Sequence, residues 1–75
     1  MTGVELISFD LKNADLSGSN LTGANLSRVD LTEANLTNAN LTDANLASAT
    51  LIGATLRNTN LTGVKLSYSN INGAD

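Results

Sequence analysis

Leucine or isoleucine stands at every fifth position for fourteen consecutive steps, from Leu6, Leu11 and Leu16 through to Leu66 and Ile71. Two residues before each stands a small or medium residue, most often alanine, as at Ala14, Ala24, Ala34, Ala39, Ala44, Ala49 and Ala54, and Ala74 holds the same place in the unfinished unit after Ile71. The position just before is mostly Asn or Asp, and the position just after is mostly Ser or Thr. The fifth position is loose and takes Gly, Asn, Ser, Asp, Glu, Arg or Tyr. An α-helix would place successive leucines about 140° apart around its axis and leave no apolar stripe. A flat strand alternates by two, which a period of five does not fit. The remaining solution is a coil that turns a corner every five residues, with the leucine and the small residue inward. Asn, Asp, Ser, Thr and Gly suit its corners, through local side-chain bonds or tolerance of positive φ.

Ala24-Asn25-Leu26, Ala34-Asn35-Leu36, Ala39-Asn40-Leu41 and Ala44-Asn45-Leu46 carry this unit in its plainest form. They resemble the pentapeptide-repeat family, whose unit reads A-(D/N)-L-x-x, and the resemblance covers nearly the whole chain. It implies an all-β fold: a right-handed quadrilateral parallel β-helix with four units per coil, here just under four coils. Stacked about 4.8 Å apart, these would make a rod on the order of 18–20 Å long. It also implies a family widespread in bacteria, especially cyanobacteria, most of whose members have no assigned activity.

The chain reads as a single domain over residues 1–75, with repeats from about residue 4 and a frayed lead-in at residues 1–3. It has no Cys and no Pro, and its aromatics are Phe9 and Tyr68. Stability therefore rests on the leucine stack, the alanine layer and bonds between coils. No helix or irregular segment follows the last repeat. Three readings fit that end: pairing end to end with a second copy, continuation in a longer protein, or a polar coil that survives uncapped. Phe9, in the small-residue position, reads either as a plug for the first coil or as a size variant.

Net charge is −3, and the cations Lys12, Arg28, Arg57 and Lys65 are dispersed, which argues against direct nucleic-acid binding. Residues 1–45 sum to −4 and residues 46–75 to +1, so unlike ends are weakly complementary. Neither a basic-then-apolar leader nor a membrane-length apolar run is present, and the expected location is cytoplasmic.

Residues twenty apart stack if four units make a coil. Asn20, Asn40 and Asn60 then form a column expected to hydrogen-bond along the stack, beside Thr22, Thr42 and Thr62. That threonine column invites comparison with ice-binding solenoids, but asparagine stands where such surfaces pair a second threonine. Asp10 stacks on Asp30, with Glu33 and Lys12 close by. A metal or acid–base role for these carboxylates is weaker than a solvated, partly balanced charge cluster. No His or Cys accompanies the Ser and Thr residues, and nothing activates them as nucleophiles. The expectation is no enzyme, no cofactor and no metal.

What remains is a structural or protein-interaction module with an unidentified protein partner. The alternative implied by the resemblance is a DNA mimic that inhibits or protects DNA gyrase, against which stand the weak charge, the short length, and Arg28 and Arg57. Specificity would be written at Arg28, Glu33, Asp43, Arg57, Lys65 and Tyr68. Tyr68 is the candidate interface residue, since interfaces favour lone aromatics of this kind. Its other reading is a surface tyrosine covering part of the last coil.

Overall fold

The computed structural model describes residues 2–75; Met1 lies outside it. Backbone pairing is parallel throughout and always joins residues twenty apart. The pairs form four columns: Glu5–Asn25–Asn45–Lys65, Asp10–Asp30–Thr50–Asn70, Asp15–Asn35–Thr55, and Asn20–Asn40–Asn60. Each crossing is an isolated one-residue bridge. A chain that turns every five residues has no room for a longer strand between corners.

Each unit closes with a β-turn in which the N–H of the small residue donates to the leucine carbonyl, as Ala24 N to Leu21 O at 3.0 Å. The third residue of that turn is left-handed. Among the described residues nine non-glycine residues and six glycines have positive φ, all at this one position of the repeat. Negative φ at the second residue and positive φ at the third is the type II pattern. The position that looks loosest in sequence is therefore the most constrained in backbone. Its occupants are free to vary in side chain because they point outward.

The Asn/Asp and Ser/Thr preferences have one cause. The carboxylate or amide oxygen accepts from the backbone N–H two residues on, and often from the hydroxyl there as well. Asn35 Oδ1 accepts from Thr37 N at 3.0 Å and from Thr37 Oγ1 at 2.6 Å. Asp30 and Thr32 repeat this at 3.0 and 2.6 Å. Each is a local Asx-type turn that orders the approach to the corner. The expected asparagine ladder is not formed. Among the described residues, Asn20, Asn40 and Asn60 each bond to their own turn, at Thr22, Thr42 and Thr62, and not to one another. The turn two residues away competes successfully for the amide oxygen.

The dry core runs from Leu21 to Ala54 and contains only Leu, Ala and Val29. Leu6, Leu11, Leu16, Leu56 and Leu61 pack against it with partial exposure. Full burial of a leucine is worth roughly 1.5–3 kcal/mol, so the middle coils carry most of the stabilisation. Thr59 occupies an inward small-residue position at little cost because its hydroxyl donates to the Leu36 carbonyl at 2.7 Å.

Two further expectations need correction. Gly3 is not frayed: its N–H donates to Thr22 O at 2.8 Å. Phe9 does not plug the interior, since 52% of its surface is exposed. The Cα extents are 25 × 22 × 19 Å.

Candidate interaction surface

Take the strip of surface centred on the Asp10 column. Each coil contributes a segment that begins at one turn's third residue and ends at the next turn's second. The outward residues are Ser8, Asp10 and Lys12, then Arg28, Asp30 and Thr32, then Ser48, Thr50 and Ile52, then Tyr68, Asn70 and Asn72. The first two rows hold four charges and the last two hold none. The strip is thus divided into a charged half and an uncharged half.

The charged half is a solvated cluster. Lys12 Nζ lies 4.0 Å from Asp10 Oδ2, with both side chains largely exposed. Asp30 bridges to Asp10 through the backbone. Its carboxyl is held below the ordinary aspartate value, first by the Thr32 hydroxyl, then by the Thr32 backbone N–H, with a smaller contribution from the charge of Lys12. Asp15, in the neighbouring column, is lowered by the same two kinds of bond from Ser17. Glu33 sits past the corner, with its Cγ close to Gly53. Among the described residues no group of carboxylates is arranged to hold a metal ion.

The uncharged half carries Tyr68, which is 95% exposed and has φ 61°. It therefore covers no part of the last coil. Ile52 stands on the same half, 41% exposed. Its signal in the sequence was its break with the Ser/Thr rule after the leucine. That break has a structural partner: Thr50 precedes it in place of Asn or Asp, so no Asx-type bond calls for a hydroxyl at position 52. Glu5 and Ile7 show the same coupled departure, and Ile7 is 37% exposed.

The other candidate positions are dispersed. Arg28 lies on the charged half of this strip. Asp43 lies against Gly63, and Lys65 pairs with Asn45, both in the column beside it. Arg57 bonds through Nε to Asp75 Oδ2 at 2.7 Å and through its terminal nitrogen to the same oxygen. The structure brings only Arg28 onto the strip with Tyr68.

A backbone that pairs only in parallel, one twenty-residue coil at a time, defines a β-helical solenoid. The family model for pentapeptide repeats matches in eight copies, over residues 1–38, 10–46 and 39–75. The chain belongs to the pentapeptide-repeat family, whose members form right-handed β-helices. Among solved structures it is similar to Rfr23, a pentapeptide repeat protein from the cyanobacterium Cyanothece 51142, with 38% identity and TM-score 0.58. It is also similar to HetL, a pentapeptide repeat protein involved in heterocyst differentiation regulation from the cyanobacterium Nostoc, with 25% identity and TM-score 0.59. All of this chain is covered in both comparisons, against 58% and 46% of those proteins, so it spans about half their length. No curated protein matches its sequence. Among the described residues no helix is long and apolar enough to cross a membrane.

Proposed function

We propose that the chain is a non-catalytic protein-binding module that uses the uncharged half of the Asp10 strip, with Tyr68 as the anchor. The twenty-residue register supports a four-sided body of just under four coils, on which this strip is one side. The observation that carries the reading is Tyr68 itself. A tyrosine held at left-handed φ costs roughly 1–2 kcal/mol relative to an ordinary backbone. Glycine, asparagine or aspartate fills ten of the fifteen equivalent positions. At 95% exposure Tyr68 recovers almost none of that cost through packing within the chain. A partner that covers it would recover it. Tyrosine is enriched, and charge depleted, at the centres of protein interfaces, and Ile52, Thr50, Ser48, Asn70 and Asn72 supply an uncharged surround. The turn also fixes the Cα–Cβ direction of Tyr68, so its backbone is ordered before binding.

Site-specific photocrosslinking tests this. A photoreactive phenylalanine analogue at position 68 is expected to trap a discrete protein partner in extracts of the source cells. The same analogue at Asn38, another left-handed turn position, is expected to trap none. Equal trapping at both positions, or none at either, would overturn the reading.

A further inference from the structure

One side of the body is uniform where the others vary. The pairing column Asn20–Asn40–Asn60 is asparagine throughout, and two residues on from each stand Thr22, Thr42 and Thr62. The other columns mix residue types and carry charge, as in Glu5–Asn25–Asn45–Lys65. None of the four cations and seven acids stands within residues 18–22, 38–42 or 58–62. The bounding turn positions are short as well, with Gly18, Asn38 and Asn58 along one edge and Gly23, Asp43 and Gly63 along the other. Asp43 is the one charge among them, and its carboxylate lies over Gly63.

We propose that this side, one of the four described above, pairs with the same side of a second copy of the chain. The two copies lie parallel about a two-fold axis running along the coils, and the Tyr68 strip takes no part.

The bonding state of the side chains points to this partner. Asn20 and Asn40 Oδ1 accept from the hydroxyls of Thr22 and Thr42 at 2.7 and 2.6 Å, and from their backbone N–H groups at 3.2 and 3.0 Å. Asn60 Oδ1 accepts from Thr62 N at 3.0 Å. The asparagine oxygens, and the hydroxyl hydrogens of Thr22 and Thr42, are thereby committed within their own rows. What is left for a partner is the asparagine Nδ2, which donates to nothing among the described residues, and the lone pairs of the threonine oxygen. The turn does not require that amide, because Asp30 and Thr32 make the same two bonds at 3.0 and 2.6 Å.

Symmetry then selects the orientation. The chain crosses every row in one direction, so the amides line one half of this side and the threonine oxygens the other. A half-turn about an axis along the coils sets each amide column against the partner's threonine column, row for row. Donors then meet acceptors, Asn Nδ2–H to Thr Oγ1. A half-turn about an axis across the coils instead sets amide on amide and hydroxyl on hydroxyl, where the oxygens and hydrogens are already committed. A two-fold contact needs a self-complementary patch of this kind. Rows in both copies repeat at about 4.8 Å, so the match is kept along the stack, as in paired sheets of identical stacked segments. With a net charge of −3 on each copy, this is also the side on which like charges are kept apart.

The total surface is 3995 Å², and one side of four supplies no more than about a quarter of it. The pair therefore falls near the lower end of the roughly 1,200–2,000 Å² buried in stable complexes. Pairing is weak and reversible, and in dilute extract Asn38 stands free.

Sedimentation equilibrium of the intact protein over a wide concentration range tests this. The average mass is expected to climb from that of one copy towards that of two. Asn40→Asp keeps the oxygen that Thr42 uses but removes the amide hydrogens and places a charge on the contact. It is expected to stay folded by circular dichroism and to weaken association by roughly tenfold or more. Tyr68→Ser is expected to leave association unchanged. Orientation is read by cross-linking, since the chain has no Cys of its own. A mixture of Asn38→Cys and Asp43→Cys chains, joined by a short bismaleimide, is expected to give the mixed dimer in excess over either homodimer. A single-copy mass at every concentration, association that Asn40→Asp leaves intact, or an excess of homodimers would overturn the proposal. Loss of association in Tyr68→Ser would overturn it in favour of the Asp10 strip.

Discussion

The amide oxygen of Asn40 accepts two hydrogen bonds from Thr42, one from its backbone N–H at 3.0 Å and one from its hydroxyl at 2.6 Å. Asn40→Ala removes both and leaves a partly buried N–H without its local partner. The expected cost is about 1–3 kcal/mol, read from urea unfolding. Asn60→Ala, in the same column but more exposed, is expected to cost less because water replaces the lost acceptor. Equal losses at the two sites would show that the Asx-type bond is not what fixes the turn.

Core position governs the cost of losing a leucine. Leu36 is fully buried, whereas Leu66 is 36% exposed. Leu36→Ala is expected to cost about 2–5 kcal/mol, a large fraction of the stability of a small domain. Leu66→Ala is expected to cost well under half as much. Circular dichroism during thermal unfolding distinguishes the two, and a reversed order would contradict the placement of the core.

Backbone strain at the turn can be isolated from packing. A Cβ added at Gly23 meets nothing within 4 Å, and φ there is +68°. Gly23→Ala is therefore a purely conformational change, with an expected cost of about 1 kcal/mol. The reverse change at an occupied left-handed site, Ser48→Gly (φ 60°), is expected to gain about 0.5 kcal/mol, the left-handed relief being partly offset by greater unfolded-state freedom. Midpoint shifts in denaturant check both signs.

Acid should weaken the fold through Asp30 and Asp15. Both carboxyls are lowered in the folded chain, chiefly by neighbouring hydroxyls. A lowered folded-state value gives stabilisation that is present in full above the unfolded aspartate value of about 3.9 and is lost as pH falls through the folded one. Melting temperature is expected to hold steady down to about pH 5 and then to fall. In Asp30→Asn, which keeps the accepting oxygen but cannot titrate there, the acid decline should be shallower. Identical slopes would remove Asp30 from the account.

The fold was legible because one requirement, an inward leucine every five residues, recurs without a break from Leu6 to Ile71. Four units per coil, implied by the resemblance to pentapeptide repeats, placed residues twenty apart in columns, which the bridges from Glu5–Asn25 to Thr50–Asn70 reproduce. What periodicity could not decide was where a side-chain oxygen turns when two partners compete. The stack and the local turn are both compatible with Asn20, Asn40 and Asn60, and only geometry shows the turn winning. It also gave no sign that Arg28, Glu33 and Tyr68 share one left-handed backbone state with the glycines, since a side chain pointing outward leaves its φ unrecorded in composition. Tyr68 was legible as a lone aromatic. Ile52 became meaningful once the Asp10 column placed it on the same strip.

Among the described residues every backbone bond between coils joins residues about twenty apart, and none reaches further along the chain. The first pairing of two coils therefore closes a loop with little compensation, after which each added turn docks on a template already built. Growth of this kind favours a start where two complete neighbours exist, within Leu21–Ala54, with zippering outward in both directions. The order of protection in pulsed hydrogen exchange would follow distance from that middle, and amides near Gly3 and Lys65 would be the last to close and the first to open.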